Sequence, residues 1–598
     1  MTHRISRQRF RLPGFGLPLN YLPLNNKGAN ALFKNALNNR EMLDGKTRLP
    51  LTSLREFTML EFMNHITDNE RWQETVFDEE AEATWKVEVE KMMGRRFTAR
   101  MFDWCMAELR SKAEVFATTG AVVVYNGDIV KSDTAIPEEL RQALIAAVAP
   151  LEKVPRRHKD WRPEADNQVL DLVHPSLFPL VFGKTRILND SLVGLDDCIE
   201  RCGEGIPVPV PPETDLIPAR MPKYFAEPIY KKPYSQQYQW LPCDIDISGG
   251  PGTAKITSYI NNLHPQYHKD LYDVIEQLIS RTIPLWNMTL APLKAPDLRF
   301  NRVPYKVCTY SPDPESWWQG RWPARHAGED SFDYENRLAR WFSAVRQVVQ
   351  PDAGIFAPPS VPKDLESQYY SKDTGRLKRD KTVDIYRDYG DRGLQVIVKL
   401  ANIELTPEKP EYRGGAWQVE GMLNITTSRL AFRQQSVIAS DFRYEWDHHD
   451  WLEAVFGCQN RTAAVQDVGS INTREGRLLT WPNILQHQVQ PFSLAEPTKP
   501  GHRKVVALFL VDPGIRIIST ANVPCQQRDW WGDALRHGDS RLAQLPVELQ
   551  DMITEEVDGF PVGLEEAKRV RVRLMQERKR YAAFHDQAFK HHEFSLGE

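Results

Sequence analysis

The strongest constraint on this chain lies in its last third. Residues 394–405 read LQVIVKLANIEL, residues 477–489 RLLTWPNILQHQV and residues 503–520 RKVVALFLVDPGIRIIST. β-Branched and apolar side chains dominate these runs, and Gly and Pro punctuate the connections between them, which is the texture of strands joined by turns. A further run, GGAWQVEGMLN at 414–424, reads as another strand. Several such strands can bury their apolar faces only by stacking as a sandwich or curling into a jelly roll.

The first part of the chain has a different period. In SLREFTMLEFMNHITD, residues 53–68, Leu54, Phe57, Leu60 and Met63 recur at helical spacing. IPEELRQALIAAVAPLE at 136–152 is a second helical stretch, with Pro137 in its first turn, where a missing N–H costs nothing. Residues 255–290 start as a strand and turn helical from about His264 to Arg281, and HHDWLEAVFG, 448–457, reads as a short helix. Helices are also expected from Pro546 to Val557 and from Leu564 to about Phe589. The last of these is basic and amphipathic, and its apolar stripe is expected to pack on the chain's own body.

Composition narrows the function. A net charge of −4 over 598 residues argues against a protein built to hold nucleic acid, which carries a basic surplus. Seven scattered cysteines, an odd number, read as reduced thiols of an intracellular protein, with a cytoplasmic location expected. Only Cys198 and Cys202 are close, and no second pair completes a zinc site. No apolar run is long enough to span a membrane, and no secretory segment follows Met1. The Arg-containing start, without Asp or Glu before residue 41, reads as an extended arm because Pro, Gly and Asn interrupt it; an organelle transit segment is the other reading.

Two positions in the strand-rich region raise a chemical question. His487 sits in an otherwise strand-like run, and Arg503 opens the next apolar strand after a Pro-containing loop. In WQVEG, residues two apart share a face, so Gln418 and Glu420 point one way. A non-haem iron(II) site uses two histidines and a carboxylate on one side of the metal, leaving positions open for a chelating 2-oxo acid. The far carboxylate of that acid needs a cation, and the planar guanidinium pairs it bidentately. A hairpin after His487 would bring Arg503 alongside it. The order of residues fits this scheme except that Gln418 occupies the place of the first histidine.

LPGFGLPL, VHPSLFPLVFG, SYINNLHP, QVIVKLANIELTPEKPEYRGGAW, GHRKVVALFLVDP and RIISTANVPCQQRDWW, spread from about Leu12 to Arg580, resemble the largely fungal domain-of-unknown-function family 4246. The resemblance implies a division into an arm (1–11), a small helical N-terminal domain (12–95), a large β-rich domain (96–540) and a helical C-terminal tail (541–598). The family's C-terminal part is similar to iron(II)/2-oxoglutarate dioxygenases, most visibly at HQVQPF and GHR. The expected fold is therefore α+β, a helical N-terminal domain before a double-stranded β-helix (jelly-roll) core with added helices and the helical tail.

The resemblance also implies Fe(II) and 2-oxoglutarate as cofactors. Glu420 and His487 would be metal ligands, Gln418 would stand where a ligand histidine belongs, and Arg503 would clamp 2-oxoglutarate. Two departures bear on activity. The family motif Trp-His-Val-Glu-Gly is WQVEG here, and GMLN runs directly into ITTSRLAF where the family continues with another Tyr-rich strand. The gap is about a dozen residues, enough for one strand. An amide oxygen binds iron(II) less well than imidazole. The reading is a dioxygenase-like protein whose activity is in question, acting on a small-molecule or protein substrate, with neither nucleic acid nor membrane as partner. The alternative is a non-catalytic jelly-roll protein that binds a ligand or partner in the same cavity.

Other readings compete for the same residues. His487 could hydrogen-bond a neighbouring carbonyl, Glu420 could be a buried acceptor, and Arg503 could pair with Asp512 or Glu496. His502 would face away from the site. His448, His449 and Asp450 contain a literal His-x-Asp but fall at a loop-to-helix junction. His264 and His268 have the i, i+4 spacing of zinc-binding helices without the intervening Glu, so a solvent-facing pair is expected. The polar stretches 305–335 and 360–385 are candidates to line a pocket.

Overall fold

The computed structural model describes residues 10–23, 32–35, 47–126, 128–155, 159–216, 234–295, 298–312, 323–358, 383–419, 428–439, 441–445, 449–537, 544–557 and 559–594. Among these the chain is a mixed α/β protein. Helices α1 (Leu54–Ile66), α2 (Glu79–Met93), α3 (Ala99–Thr119) and α4 (Glu138–Glu152) come first, α5 (Lys269–Lys294) lies in the middle, and α6 (Leu564–His591) ends the chain. The strands that build the site are β1 (Val122–Tyr125), β2 (Ile129–Ser132), β3 (Val169–Val173), β4 (Cys243–Asp246), β5 (Leu394–Leu405), β6 (Ser428–Val437), β7 (Val465–Thr473), β8 (Leu478–Thr480), β9 (Gln486–Val489) and β10 (Gly501–Leu510).

Local chemistry sets the helix ends. The Ser53 side chain accepts the Glu56 N–H at 3.1 Å to open α1. Thr98 caps α3 through the Met101 N–H, and Gly120, at φ 63°, stops it in a left-handed conformation that a side chain would strain. Helix α5 departs from the expected span at both ends. It starts at Lys269 because the His264 ring accepts the N–H groups of Gln266 and Tyr267, both at 3.3 Å, and holds a turn there. It continues through Pro284 and Pro292. Each proline removes a backbone donor, but Leu271, Ile275, Leu278, Ile283, Leu285 and Trp286 are all buried, and that burial outweighs the local cost.

The longest ladder joins β5 and β10, antiparallel from Val396↔Leu510 to Leu405↔Gly501. The other edge of β5 is shared by β4 near Leu394 and β3 near Ile403, and a short strand, Lys255–Ile256, extends the sheet beyond β4. No described strand pairs with the far edge of β10. A second sheet has the order β7–β6–β9, and a third is β8–β2–β1. One apolar cluster runs through Met59, Leu60, Phe102, Ile275, Val396, Leu400, Phe432 and Leu508, so helices and both larger sheets share a core. No described helix is long and apolar enough to cross a membrane.

Candidate functional site

Arg503 enters the site from β10, directly opposite Ile403 on β5. Opposed residues of antiparallel strands point to the same side, and every second residue repeats it. Arg503 therefore shares a face with Val505, Ala507 and Phe509 on its own strand and with Ile397, Lys399 and Ala401 on β5. The reverse face carries Val396, Val398, Leu400, Val506 and Leu508 into the main core. The Arg503 face is less sealed. Ile397, Lys399, Val505 and Phe509 all keep some accessible surface, while Ala401, Ile403 and Ala507 are buried, so this face is partly open.

Arg503 itself is 2% exposed, and its Nε, Nη1 and Nη2 have no hydrogen-bond partner among the described residues. The Phe492 ring lies 5.7 Å from its Cζ. Burial pulls its pKa down to about 10, against a smaller opposing effect of Tyr412, so the guanidinium stays charged at neutral pH. A buried charge with no acceptor is costly, and a carboxylate is the group that relieves it with two parallel hydrogen bonds. The two acids that could have made Arg503 structural are engaged elsewhere. Asp512 accepts the N–H groups of Phe33 (2.7 Å) and Gly514 (2.8 Å), and Glu496 pairs with Lys499 at 2.6 Å. His502 is exposed, opposite Glu404 on the other face, as its position in the strand requires.

His487 does not lie on a strand beside Arg503, which corrects the expected hairpin. Strand β9 pairs with β6, and β10 pairs with β5. The eleven-residue connection between β9 and β10 (490–500) is long enough to leave one sheet for the other. Within it Phe492 and Ser493 pair with Tyr412 and Glu411. His487 is 2% exposed, opposite Phe432 on one side, with the Trp481 ring at 5.0 Å. On its other side Gln418 exchanges both backbone hydrogen bonds with it, N–H to O at 2.9 Å and 2.8 Å. Gln418, His487 and Phe432 thus form one row across three strands. Burial, with a smaller effect of Lys399, pushes the His487 pKa down to about 3, and its Nδ1 has no hydrogen-bond partner among the described residues.

The remaining metal candidates are not brought together. Gln418 is exposed at the rim, and Glu420 lies outside the described residues. His449 meets Asn460, Asp450 accepts the Tyr310 hydroxyl at 2.8 Å, and His448 lies outside the described residues. His264 is buried, stacked on Tyr267 at 4.0 Å and near Trp530, and is not half of a solvent-facing pair; His268 caps α5. Cys198 is buried against Tyr259 and Cys525. No group of three or more His, Cys, Asp or Glu side chains suited to a metal ion occurs among the described residues. The donor set described fits an organic anion at Arg503. It does not complete a site for iron, since it offers one imidazole and an exposed amide. Of the stretches expected to line a pocket, 360–382 lies outside the described residues.

Several neighbours of this site were not singled out in the sequence. Asp171 on β3 sits opposite Ala401, on the Arg503 face, and takes Arg162 through contacts of 2.5 and 3.3 Å. His174 follows, accepting the Ser176 N–H at its Nδ1, and its ring centroid is 6.4 Å from that of Trp240. Trp240 also meets Phe509 at 5.8 Å and carries the Arg578 guanidinium at 3.6 Å. Arg578 belongs to α6, which also pairs Arg571 with Asp160, accepts Gln486 at Asp586 (3.3 Å) and accepts Gln435 at the Phe589 carbonyl (2.9 Å). The terminal helix therefore packs on the body as its stripe suggested, touching elements of both larger sheets. The readable signal was Lys399, a lysine interrupting an apolar strand.

Comparison with known proteins gives the family. A family model described as "Protein of unknown function (DUF4246)" matches residues 99–534, and one described as "Domain of unknown function DUF4246, N-terminal" matches residues 12–88. No curated protein and no solved structure matches the chain.

Proposed function

On the premise that this chain belongs to the DUF4246 family, whose main model covers most of its length, we propose that it is a dioxygenase-like protein that binds a 2-oxoglutarate-class carboxylic acid at Arg503. The observation that carries the reading is the guanidinium itself, buried to 2% exposure on a partly open face, with three nitrogens that meet no acceptor among the described residues. An arginine placed for stability finds an acceptor within the fold. Iron is not part of this reading, because Gln418 occupies a ligand position and the described side chains do not complete a metal site. Binding then depends on this chain's own groups. Arg503 orients one carboxylate, Phe492 and Tyr412 border the guanidinium, and the small side chains Ala401 and Ala507 lie on the same face.

A second reading, an iron(II)/2-oxoglutarate dioxygenase, is favoured by one feature. Position 418 lies directly opposite His487, a neutral, buried imidazole with an unpartnered Nδ1. Iron bound there would chelate the acid and activate oxygen. The test is an anaerobic titration of the full chain with 2-oxoglutarate, with and without iron(II). Binding that needs Arg503 and is indifferent to iron is the expected result. Binding only with iron supports the enzyme reading, and no binding by the folded chain rejects both.

A further inference from the structure

We propose that the Arg503 face of the β5–β10 ladder takes a short dicarboxylate held at both ends by protein cations, Arg503 at one end and Lys399 at the other, with no metal between them. This rests on the reading that Arg503 takes a carboxylate, and it adds the second end. Lys399 faces Ala507 across the ladder, and Arg503 faces Ile403, so the two cations lie on one face four positions apart. At a strand rise of roughly 3.3 Å per residue their backbones are about 13 Å apart. Two long side chains standing off the sheet, as strand side chains do, leave a gap across that span for an acid of a few carbons. The floor between them is Ala401 and Val505, with Ala507 beside Lys399.

Charge completes the argument. Lys399 has no hydrogen bond or ion pair among the described residues, although it lies deep enough that burial drives its pKa down to about 7. The carboxylate nearest along the same face, Asp171, is taken by Arg162, and Asp160 is taken by Arg571. His487, within electrostatic reach of Lys399, is neutral. This face thus carries two basic groups that make no hydrogen bond or ion pair with a described acid, Asp171 acting on Lys399 only from a distance. A monoanion would leave one of them uncompensated, whereas a dicarboxylate satisfies both.

The experiment compares two acids of equal carbon count, glutarate and pentanoate, titrated calorimetrically into the full chain with excess chelator. Glutarate is expected to bind at least about tenfold tighter, the worth of one charge-assisted contact. Lys399→Met should erase that preference while leaving pentanoate affinity unchanged, and Lys399→Arg should restore it. Arg503→Met should weaken both acids. The unmodified chain supplies a second readout that needs no variant. Lys399 is faced by Arg162 before β3, Asp171 on β3, His174 just after it, His487 on β9 and Arg578 on α6. Of these groups only Lys399 titrates near neutrality, so glutarate should take up protons at pH 8 and pentanoate should not. If binding depends on Arg503 but the glutarate preference ignores Lys399, or if chelator abolishes it, the second end is wrong and the Arg503 reading survives. If neither acid binds, both fall together.

Discussion

Two arginines, Arg302 and Arg503, are equally hidden and oppositely served. Arg302 is 3% exposed, and its guanidinium meets Glu108 at 2.7 and 2.8 Å, Glu56 at 3.1 Å and Asn126 at 2.8 Å. Lys112 adds a second cation on Glu108 at 2.7 Å. Around Arg503 no described acceptor exists. The chain can therefore build a satisfied buried charge network when stability requires one. The absence of a described acceptor at Arg503 supports the proposed ligand role, because a buried guanidinium without an acceptor costs stability.

The largest expected effect tests that contrast directly. Arg302→Met leaves buried Glu56 without its cation and Glu108 with Lys112 alone, and should cost about 3–5 kcal/mol, or prevent folding. Arg503→Met removes a charge with no partner among the described residues and should leave the melting temperature unchanged or raise it. Equal destabilisation by the two changes, measured by thermal and urea unfolding, would break the comparison. Next in size is binding. Arg503→Ala should weaken 2-oxoglutarate by roughly 30-fold or more, since truncating one member of a buried ion pair costs about 2–5 kcal/mol. Arg302 variants that still fold should bind as the parent does.

The sequence shows one arginine of this pair and hides the other. Strand periodicity gives Leu394–Leu405 to the residue and places Arg503 opposite to His502, because a period of two is a local property. The helical period of about 3.6, equally local, identifies α1 and α6. A period cannot say which sheet a strand joins, so His487 and Arg503 were expected on neighbouring strands when they sit on different sheets. Nor does any local pattern reveal Asp171 and Arg578 near Lys399, since those contacts join segments hundreds of residues apart. Arg302 looked ordinary in sequence for the same reason: its partners Glu56 and Glu108 lie far upstream.

Lys399 sharpens the comparison through pH. Its folded pKa of about 7 lies below the ordinary 10.5, so the folded state binds the proton less well than the unfolded chain. The resulting cost is absent above pH 10.5, grows as pH falls toward 7 and is constant below that. Lys399→Met should therefore stabilise the free protein below pH 7, by about 1–2 kcal/mol once partial exposure is discounted, and the gain should fade toward pH 10.5. Glu108 has the opposite sign. The burial penalty on its carboxylate is outweighed by Arg302 and Lys112, which hold its pKa down to about 2. That contribution is present above pH 4.5 and is lost as pH falls through 2. Saturating glutarate should reverse the Lys399→Met gain, because the ligand then supplies the missing acceptor.

The smallest effect concerns Gln418. It exchanges both backbone hydrogen bonds with His487, the arrangement that sets two Cα atoms about 5.5 Å apart with side chains on one face. Gln418→His would put a second imidazole beside the first, and two imidazoles at that spacing can share a divalent ion. Cobalt(II) affinity, read anaerobically by absorbance, should rise about tenfold, the low end of what one ligand-tuning change achieves. His487→Ala should cancel the gain, which separates a shared site from a surface histidine acting alone. No gain would mean that the row of Gln418, His487 and Phe432 is a packing row, with Arg503 left as the one proposed ligand-binding group. A gain accompanied by iron-dependent tightening of 2-oxoglutarate would mean that one substitution separates the proposed acid site from a metal centre. Arg302, saturated by its own carboxylates, should be indifferent to either result.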